Sequence, residues 1–226
     1  ILLITQLAAL FAIEVIMCFT PLGTLPIIPG IVDLTIYFVP AIIASIVIGP
    51  VAGSIMGFLG GACCFIYYTF VANSSQGSMM YTPFTALPFK SYWSIVVCFV
   101  PRILLGLFPG LIYKYGKKTI KNDYVRMGIG CAVGSITNTF LVLFLTYVLW
   151  GKKYAQGSDE TLIGLLYGFI FLAAVNGTLE AIVSTAVGIP SFRVFPLSLG
   201  ISTLRTGFGR YFPASMVCRI SSPLSL

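Results

Sequence analysis

Three ionisable side chains lie inside long apolar runs of this sequence: Glu14, Arg102 and Glu180. A charged group at the centre of a bilayer costs roughly 3 kcal/mol on insertion scales, so such residues are default candidates for binding a substrate or moving a proton. Two amides, Asn138 and Asn176, fall near the middle of apolar runs. Asn176 and Glu180 are four residues apart and share a helix face. The pattern predicts a polar pocket with the two amides at its floor and Arg102 in its wall.

Neighbouring residues extend this candidate pocket. Thr139 follows Asn138 and adds a hydroxyl group, while Tyr81 and Trp93 lie in a more polar segment where they could cap the pocket. Another interpretation of the same residues is structural: Arg102 pairs with Glu14 or Glu180, and the amides bridge neighbouring helices. The residue types alone leave both interpretations open.

Several kinds of chemistry have no residues to support them. The chain has no histidine and no Cys-x-x-Cys pair, so zinc and haem sites lack their usual ligands. It also has no Walker loop and no Gly-x-Ser-x-Gly motif, and its six acidic residues are scattered. We therefore expect no catalytic residues, no metal site, no cofactor and no ATP hydrolysis by this chain.

The composition predicts a bilayer environment for these residues. Of 226 residues, 58% are hydrophobic and 8% are charged, against about 25% charged in a soluble domain. The sequence therefore indicates an all-α integral membrane protein with six transmembrane helices. We expect a membrane domain over residues 1–190 and a basic tail over 191–226, disordered or an artificial extension. The predicted spans lie near residues 1–19, 34–49, 51–72, 95–114, 126–150 and 161–189.

Basic residues orient the predicted helices. The loop between the fourth and fifth spans holds five cations and one acid, and the tail after the sixth span holds four arginines and no acid. The positive-inside bias makes both segments cytoplasmic, so six spans place both termini in the cytoplasm. The net charge of +7 is thus a topology signal, and we expect the lipid bilayer, not nucleic acid, as a partner.

Small residues predict close helix contacts. Gly49, Gly53 and Gly57 begin a ladder that continues at Gly61, and this spacing puts bare backbone on one face of the third span. Packing inside the chain is one use of this ladder, and sliding against a partner protein is another. Ala8 and Ala12 form a shorter pair of the same kind on the first span.

The chain resembles the substrate-binding (S) components of energy-coupling factor (ECF) vitamin transporters. The resemblance rests on the six-span hydropathy and on the order and spacing of residues 20–29, 39–53, 100–107, 134–139 and 176–180. It implies a protein of the bacterial cell membrane with six helices and with both termini in the cytoplasm. It also implies a high-affinity vitamin site near the outer surface. It also implies docking onto a transmembrane coupling (T) component that carries two cytoplasmic ATPases. The Ala-x-x-x-Ala motif formed by Ala8 and Ala12 would make that contact, and the protein would deliver its vitamin by reorienting in the membrane.

Within this family the pattern looks most like the pantothenate members, followed by those for hydroxymethylpyrimidine or pyridoxine. Pantothenate carries one carboxylate, for which Arg102 or Lys90 would supply the matching cation. Its hydroxyl and amide groups suit Asn138, Thr139 and Asn176, with Glu180 orienting Asn176 or Arg102.

Two other hypotheses remain open at this point. A proton-coupled secondary carrier would use Glu14 or Glu180, and an assembly subunit would use its polar residues only to hold helices together.

Overall fold

The computed structural model describes residues 2–20, 22–28, 32–71, 92–158 and 161–198. Helices dominate this part of the chain, with one short hairpin between the first two. The elements are α1 (Leu2–Phe19), β1 (Thr24–Ile28), β2 (Val32–Thr35), α2 (Val39–Val47), α3 (Pro50–Ile66), α4 (Trp93–Tyr115), α5 (Asp123–Ser158) and α6 (Leu162–Ser198). A π-helical turn (Tyr67–Val71) extends α3, and a 3₁₀ turn (Gly116–Lys118) extends α4.

Three segments of the described chain are long and apolar enough to cross a membrane: Ile95–Lys118, Asp123–Lys152 and Leu162–Ser191. The apolar helices Ile4–Phe19 and Pro50–Ile66 are shorter. With nine residues, α2 is shorter still; it rises about 14 Å, against a hydrocarbon thickness of about 30 Å. The predicted helical membrane architecture is confirmed, while the count of six spans stays a prediction.

The segment after α1, which lies largely between the first two predicted spans, contains an antiparallel hairpin. Strand β1 pairs with β2 so that Thr24 lies opposite Thr35 and Leu25 opposite Leu34. The N–H of Ile36 donates to the Gly23 carbonyl over 2.8 Å, which fixes the hairpin at the start of α2. The prediction of an all-α protein is therefore corrected at this point, because the described chain also contains this two-stranded hairpin. The predicted span over 34–49 accordingly begins in a strand and holds only the short α2.

Helix α2 occupies the centre of the molecule. All nine of its residues are buried, and it contacts α1, α3, α4, α5 and α6. Its sequence is apolar on every side, as expected for a helix surrounded by others. The hairpin precedes α2, so we call this side of the molecule the hairpin end. The opposite side, where α4 ends and α5 begins among lysines, we call the basic end.

The glycine ladder is used inside the chain. A Cβ atom added at Gly53 would collide with the carbonyl oxygen of Gly106, and one added at Gly57 would collide with that of Arg102. The backbones of α3 and α4 therefore touch where these glycines lie, as small residues allow in membrane helices. Because α4 already covers this face, the alternative use of the ladder, as a sliding surface for a partner, is wrong.

The last helix is longer than the sequence indicated. The sixth predicted span ends at Ile189, whereas α6 continues to Ser198. Its final turns thus lie in the segment assigned to a basic tail, and residues 199–226 lie outside the described residues.

Candidate functional site: a buried polar layer

Arg102 is held in the interior of the bundle partly by a backbone carbonyl that its own helix leaves without a hydrogen bond. Pro101 has no N–H, so it cannot bond the carbonyl of Val97 four residues earlier. The Arg102 guanidinium donates to that carbonyl through Nη1 over 3.0 Å and to the Tyr37 hydroxyl through Nη2 over 3.3 Å. Only 5% of Arg102 is exposed. A helical proline and a tyrosine beside α2 therefore fix a buried cation.

Glu180 is the second buried ionisable group of this region. Its Oε1 accepts hydrogen bonds from the N–H and hydroxyl of Thr35, at the end of β2. Its Oε2 accepts one from the hydroxyl of Thr139 on α5. The carboxyl group thus ties α6 to both α5 and the hairpin. These bonds differ from the expected partners of Glu180, which were Asn176 and Arg102.

The two amides of the predicted pocket have unused hydrogen-bonding capacity. Among the described residues, the Oδ1 atoms of Asn138 and Asn176 are buried and have no hydrogen-bond partner. A buried polar atom without a partner costs about 1–3 kcal/mol, so it usually marks a place where water or a ligand binds. Asn138 adjoins Thr139 on α5, and Asn176 lies one turn from Glu180 on α6.

Hydrogen bonds and electrostatic interaction link Thr35, Tyr37, Arg102, Thr139 and Glu180, and we call these groups, together with their helix neighbours Asn138 and Asn176, the polar layer. Arg102 lies within electrostatic range of Glu180, and Thr139 bonds to Glu180. The strand β2 contacts α6, so the hairpin forms one side of the region. The polar layer consists of Thr35, Tyr37, Arg102, Asn138, Thr139, Asn176 and Glu180.

The structural pairing considered for Arg102 is absent from the described part of the chain. There, the ion pair found is that of Arg126 with Asp123 at the basic end, and neither Glu14 nor Glu180 pairs directly with Arg102. Glu14 is buried on α1 beside Gly60. In the described structure its Oε2 atom has no hydrogen-bond partner.

The other predicted site residues are placed as follows. Trp93 begins α4 and is 61% exposed, while Tyr81 and Lys90 lie outside the described residues. Ala8 and Ala12 are both exposed on α1. They share their helix with the exposed apolar side chains of Ile4 and Ile16.

Sequence reasoning missed Thr35 and Tyr37. Thr35 ends β2 and Tyr37 lies between the hairpin and α2, just ahead of an apolar run. Their contacts reach 145 and 65 residues along the chain, to Glu180 and Arg102. One signal was available in the sequence. Polar residues stand at the start of an apolar run that is too short to span a bilayer.

Chemically, the polar layer offers a cation, a carboxyl group, two amides and hydroxyl groups. The described residues contain no group of Cys, Asp or Glu side chains suited to hold a metal ion. The layer is therefore equipped to recognise a small polar molecule inside an apolar helical protein. Buried polar groups of these types inside an apolar helical fold are typical of membrane proteins that bind a solute.

Comparison with known proteins identifies the family. A family described as "ECF transporter, substrate-specific component" matches residues 3–192. The chain belongs to this family of membrane transporter subunits, so the resemblance found in its sequence is confirmed.

Two relatives are named for the same vitamin. The chain is 29% identical over 181 residues to the pantothenic acid transporter PanT of Lactococcus lactis subsp. cremoris (strain MG1363), covering 79% of this chain and 85% of the relative. It is 26% identical over 174 residues to the pantothenate transporter PanT of Leuconostoc mesenteroides subsp. mesenteroides, covering 74% and 78%.

Proposed function

We propose that this chain binds pantothenate in the polar layer and delivers it as the S component of an ATP-driven ECF importer. The observation that carries the proposal is the pair of buried amide oxygens of Asn138 and Asn176, which have no hydrogen-bond partner among the described residues, in the same layer as the buried Arg102. The ligand that this layer suits presents hydrogen-bond donors and a negative charge together. The names of both relatives point to the same molecule.

The chemistry of pantothenate fits each part of the layer. Its carboxylate would bind the Arg102 guanidinium, which is positioned by hydrogen bonds to the Val97 carbonyl, the Tyr37 hydroxyl and the Cys64 sulfur. A charge-assisted bond of this kind is about twice as strong as a neutral one. The hydroxyl and amide N–H groups would donate to the oxygens of Asn138 and Asn176. Glu180, through Thr139 and Thr35, would keep α5, α6 and the hairpin in register around the ligand.

Calorimetric titration of the detergent-purified protein tests this assignment. Pantothenate is run beside hydroxymethylpyrimidine and pyridoxine, on the wild type and on Asn138→Ala and Asn176→Ala. We expect tight binding of pantothenate alone, and a loss of about fivefold in each variant, since one hydrogen bond to a neutral group contributes roughly 1 kcal/mol. The matched control is Thr178→Ala, which removes an exposed hydroxyl bonded to its own helix and should change nothing.

Other outcomes would reassign the ligand or the role. Tight binding of a pyrimidine or pyridine vitamin would keep the transporter role and replace pantothenate. If folded protein bound none of the three compounds, and neither asparagine affected uptake, the polar layer would have only a structural role.

The proposed coupling contact lies on α1. Ala8 and Ala12 leave a shallow, exposed apolar face between the larger Ile4 and Ile16. A helix of the T component could approach closely there, because small residues let backbones come together. In this proposal the helices cross the membrane six times with both termini in the cytoplasm, and two partner ATPases supply the energy.

Replacing both alanines by tryptophan tests the contact. We expect A8W/A12W to lose copurification with the T component and ATP-dependent uptake while it still binds pantothenate. Ala174→Trp, at an exposed position on α6, is the matched control and should retain all three properties. If A8W/A12W still copurifies with the T component, α1 does not form the interface with that component.

The proton-coupled carrier is the second candidate, because Glu14 is buried with an unpartnered carboxyl oxygen. It predicts uptake that persists without the ATPases, collapses with the proton gradient and is abolished by Glu14→Gln. The importer predicts the opposite result for each.

A further inference from the structure

At the basic end, the helices do not all finish at the same height. Helices α2 and α3 meet at Gly49 and Pro50, and an added Cβ at Gly110 of α4 would touch Pro50. Helix α4 continues past this level to Tyr115, followed by the 3₁₀ turn. Lys117 therefore lies about 10 Å further along than Gly110. The difference leaves a cavity of about 410 Å³ above the α2–α3 turn.

The upper wall of this cavity is positively charged. Lys114, Lys117 and Arg126 line it, and both lysines are exposed. Arg126 is neutralised by its ion pair with Asp123, so the lysines carry the surplus charge. Negative charge is therefore favoured at this wall.

Two buried polar atoms in the same wall have unused hydrogen-bonding capacity. The Arg126 side chain lies over the Tyr113 ring, with Cζ 4.4 Å from its centroid. Both residues are more than nine-tenths buried and line the cavity. In the described structure the Nε of Arg126 and the hydroxyl of Tyr113 have no hydrogen-bond partner. An occupant with acceptor oxygens would satisfy both donors.

The lower wall is apolar and opens toward the outside of the bundle. It includes Val51, which is 71% exposed, and Ile55, which is 49% exposed. Exposed aliphatic side chains on a membrane protein contact lipid chains. The cavity thus joins a cationic, hydrogen-bonding upper part to a lipid-facing apolar flank.

We propose that this cavity is a binding site for an anionic phospholipid, with the phosphate at Lys114, Lys117, Tyr113 and Arg126, and the acyl chains along Val51 and Ile55. The combination of a basic wall and an apolar wall matches one amphiphilic molecule, as in basic pockets between membrane helices that take lipid headgroups. A free phosphate would use only the upper wall. The site is separate from the polar layer and independent of which vitamin the protein binds.

Native mass spectrometry of the full chain in detergent tests the site by titration with phosphatidylglycerol or phosphatidylcholine. The test variant is K114Q/K117Q. The matched control is K118Q/K121Q, which removes two exposed lysines of the same segment that do not line the cavity. Each double variant lowers the net charge by two, and thermal unfolding verifies that both are folded.

We expect the wild type to prefer phosphatidylglycerol, and K114Q/K117Q to bind it about thirtyfold more weakly, since each of the two lysines near an anionic headgroup contributes roughly 1 kcal/mol. K118Q/K121Q should stay within about twofold of the wild type. Millimolar inorganic phosphate should not displace the lipid.

Three results would overturn the proposal. An equal loss in both double variants would mean nonspecific attraction, and displacement by inorganic phosphate would mean a site for free anions. Retained lipid binding in K114Q/K117Q, with lost copurification of the T component, would assign the lysines to a protein contact.

Discussion

Two buried arginines, one toward each end of the bundle, lie beside a tyrosine but have different partners. At the basic end, Arg126 pairs with Asp123 three residues away and lies over the Tyr113 ring. In the polar layer, Arg102 bonds to a backbone carbonyl and to the Tyr37 hydroxyl. Neither acid that could have paired with Arg102, Glu14 or Glu180, does so in the described structure.

We propose that this difference separates a structural arginine, Arg126, from a ligand-binding one, Arg102. Arg126 has a carboxylate close in sequence, so its charge is satisfied by its own helix. The described bonds of Arg102 go to the Val97 carbonyl, the Tyr37 hydroxyl and the Cys64 sulfur, and these bonds position its guanidinium. A buried cation of this kind is best suited to an anionic ligand, since the low dielectric strengthens their interaction.

Exchanging each arginine for glutamine should separate the two roles most clearly. We expect Arg102→Gln to weaken pantothenate binding about a hundredfold, because a hydrogen bond to a charged group contributes up to about 3 kcal/mol. Arg126→Gln should lower the unfolding temperature and leave the affinity within about twofold. Calorimetry and thermal unfolding on the same preparations measure both effects. Similar affinity losses in the two variants would refute the distinction.

The second largest effect on stability and pantothenate affinity is expected from disturbing the contact between α3 and α4 at Arg102. A Cβ at Gly57 would press on the Arg102 carbonyl, so we expect Gly57→Ala to cost about 2 kcal/mol of stability and to weaken pantothenate binding by moving the guanidinium. Gly110→Ala, with its clash against Ser45 near the basic end, should lower stability alone.

The control for these glycine variants is Gly168→Ala, where an added Cβ meets nothing within 4 Å. This substitution should leave stability unchanged or raise it, because alanine is the better helix former. Unfolding temperatures in detergent, with titrations on each folded variant, distinguish the cases. If Gly57→Ala leaves the pantothenate affinity unchanged, the contact between α3 and α4 does not position Arg102 for binding.

The two tyrosines offer a smaller contrast. Tyr37→Phe removes a hydrogen bond to Arg102, so pantothenate affinity should fall about fivefold, equivalent to roughly 1 kcal/mol. Tyr113→Phe keeps the ring that Arg126 covers and should leave that affinity unchanged. Titration of both variants measures the effect, and a larger loss from Tyr113→Phe would contradict the assignment.

The smallest effect is expected at Asp123. Asp123→Asn breaks the ion pair with the buried Arg126, whose Nη1 still donates to the Ile120 carbonyl over 3.2 Å. We expect a loss of about 1 kcal/mol in stability, because the acid is partly exposed and helix ion pairs contribute little. Unfolding at low and high salt measures it, and a changed pantothenate affinity would show that the two ends are coupled.

The sequence predicted those features that depend on local pattern. Apolar runs located α1, α3, α4, α5 and α6, and the rarity of ionisable groups in them singled out Arg102 and Glu180. The four-residue spacing put Asn176 on the same helix face as Glu180. Each inference uses only neighbours along one helix.

The features that sequence analysis missed depend on contacts between distant segments. No local pattern links Thr35 to Glu180, which is 145 residues away. Likewise, the unpaired carbonyl left by Pro101 becomes an anchor for Arg102 only once the side chain is seen to fold back onto Val97. The sequence showed the glycine ladder, but which helix packs against it, α4, became known only from the folded structure.

We propose that the guanidinium of Arg102 binds the carboxylate of pantothenate. Titrating wild type and Arg102→Gln with pantothenate and with pantothenol, its alcohol analogue, tests that pair of groups in one thermodynamic cycle. We predict that the substitution costs about a hundredfold for pantothenate and less than about threefold for pantothenol. Equal losses for both ligands would show that Arg102 does not bind the carboxylate and would contradict the account.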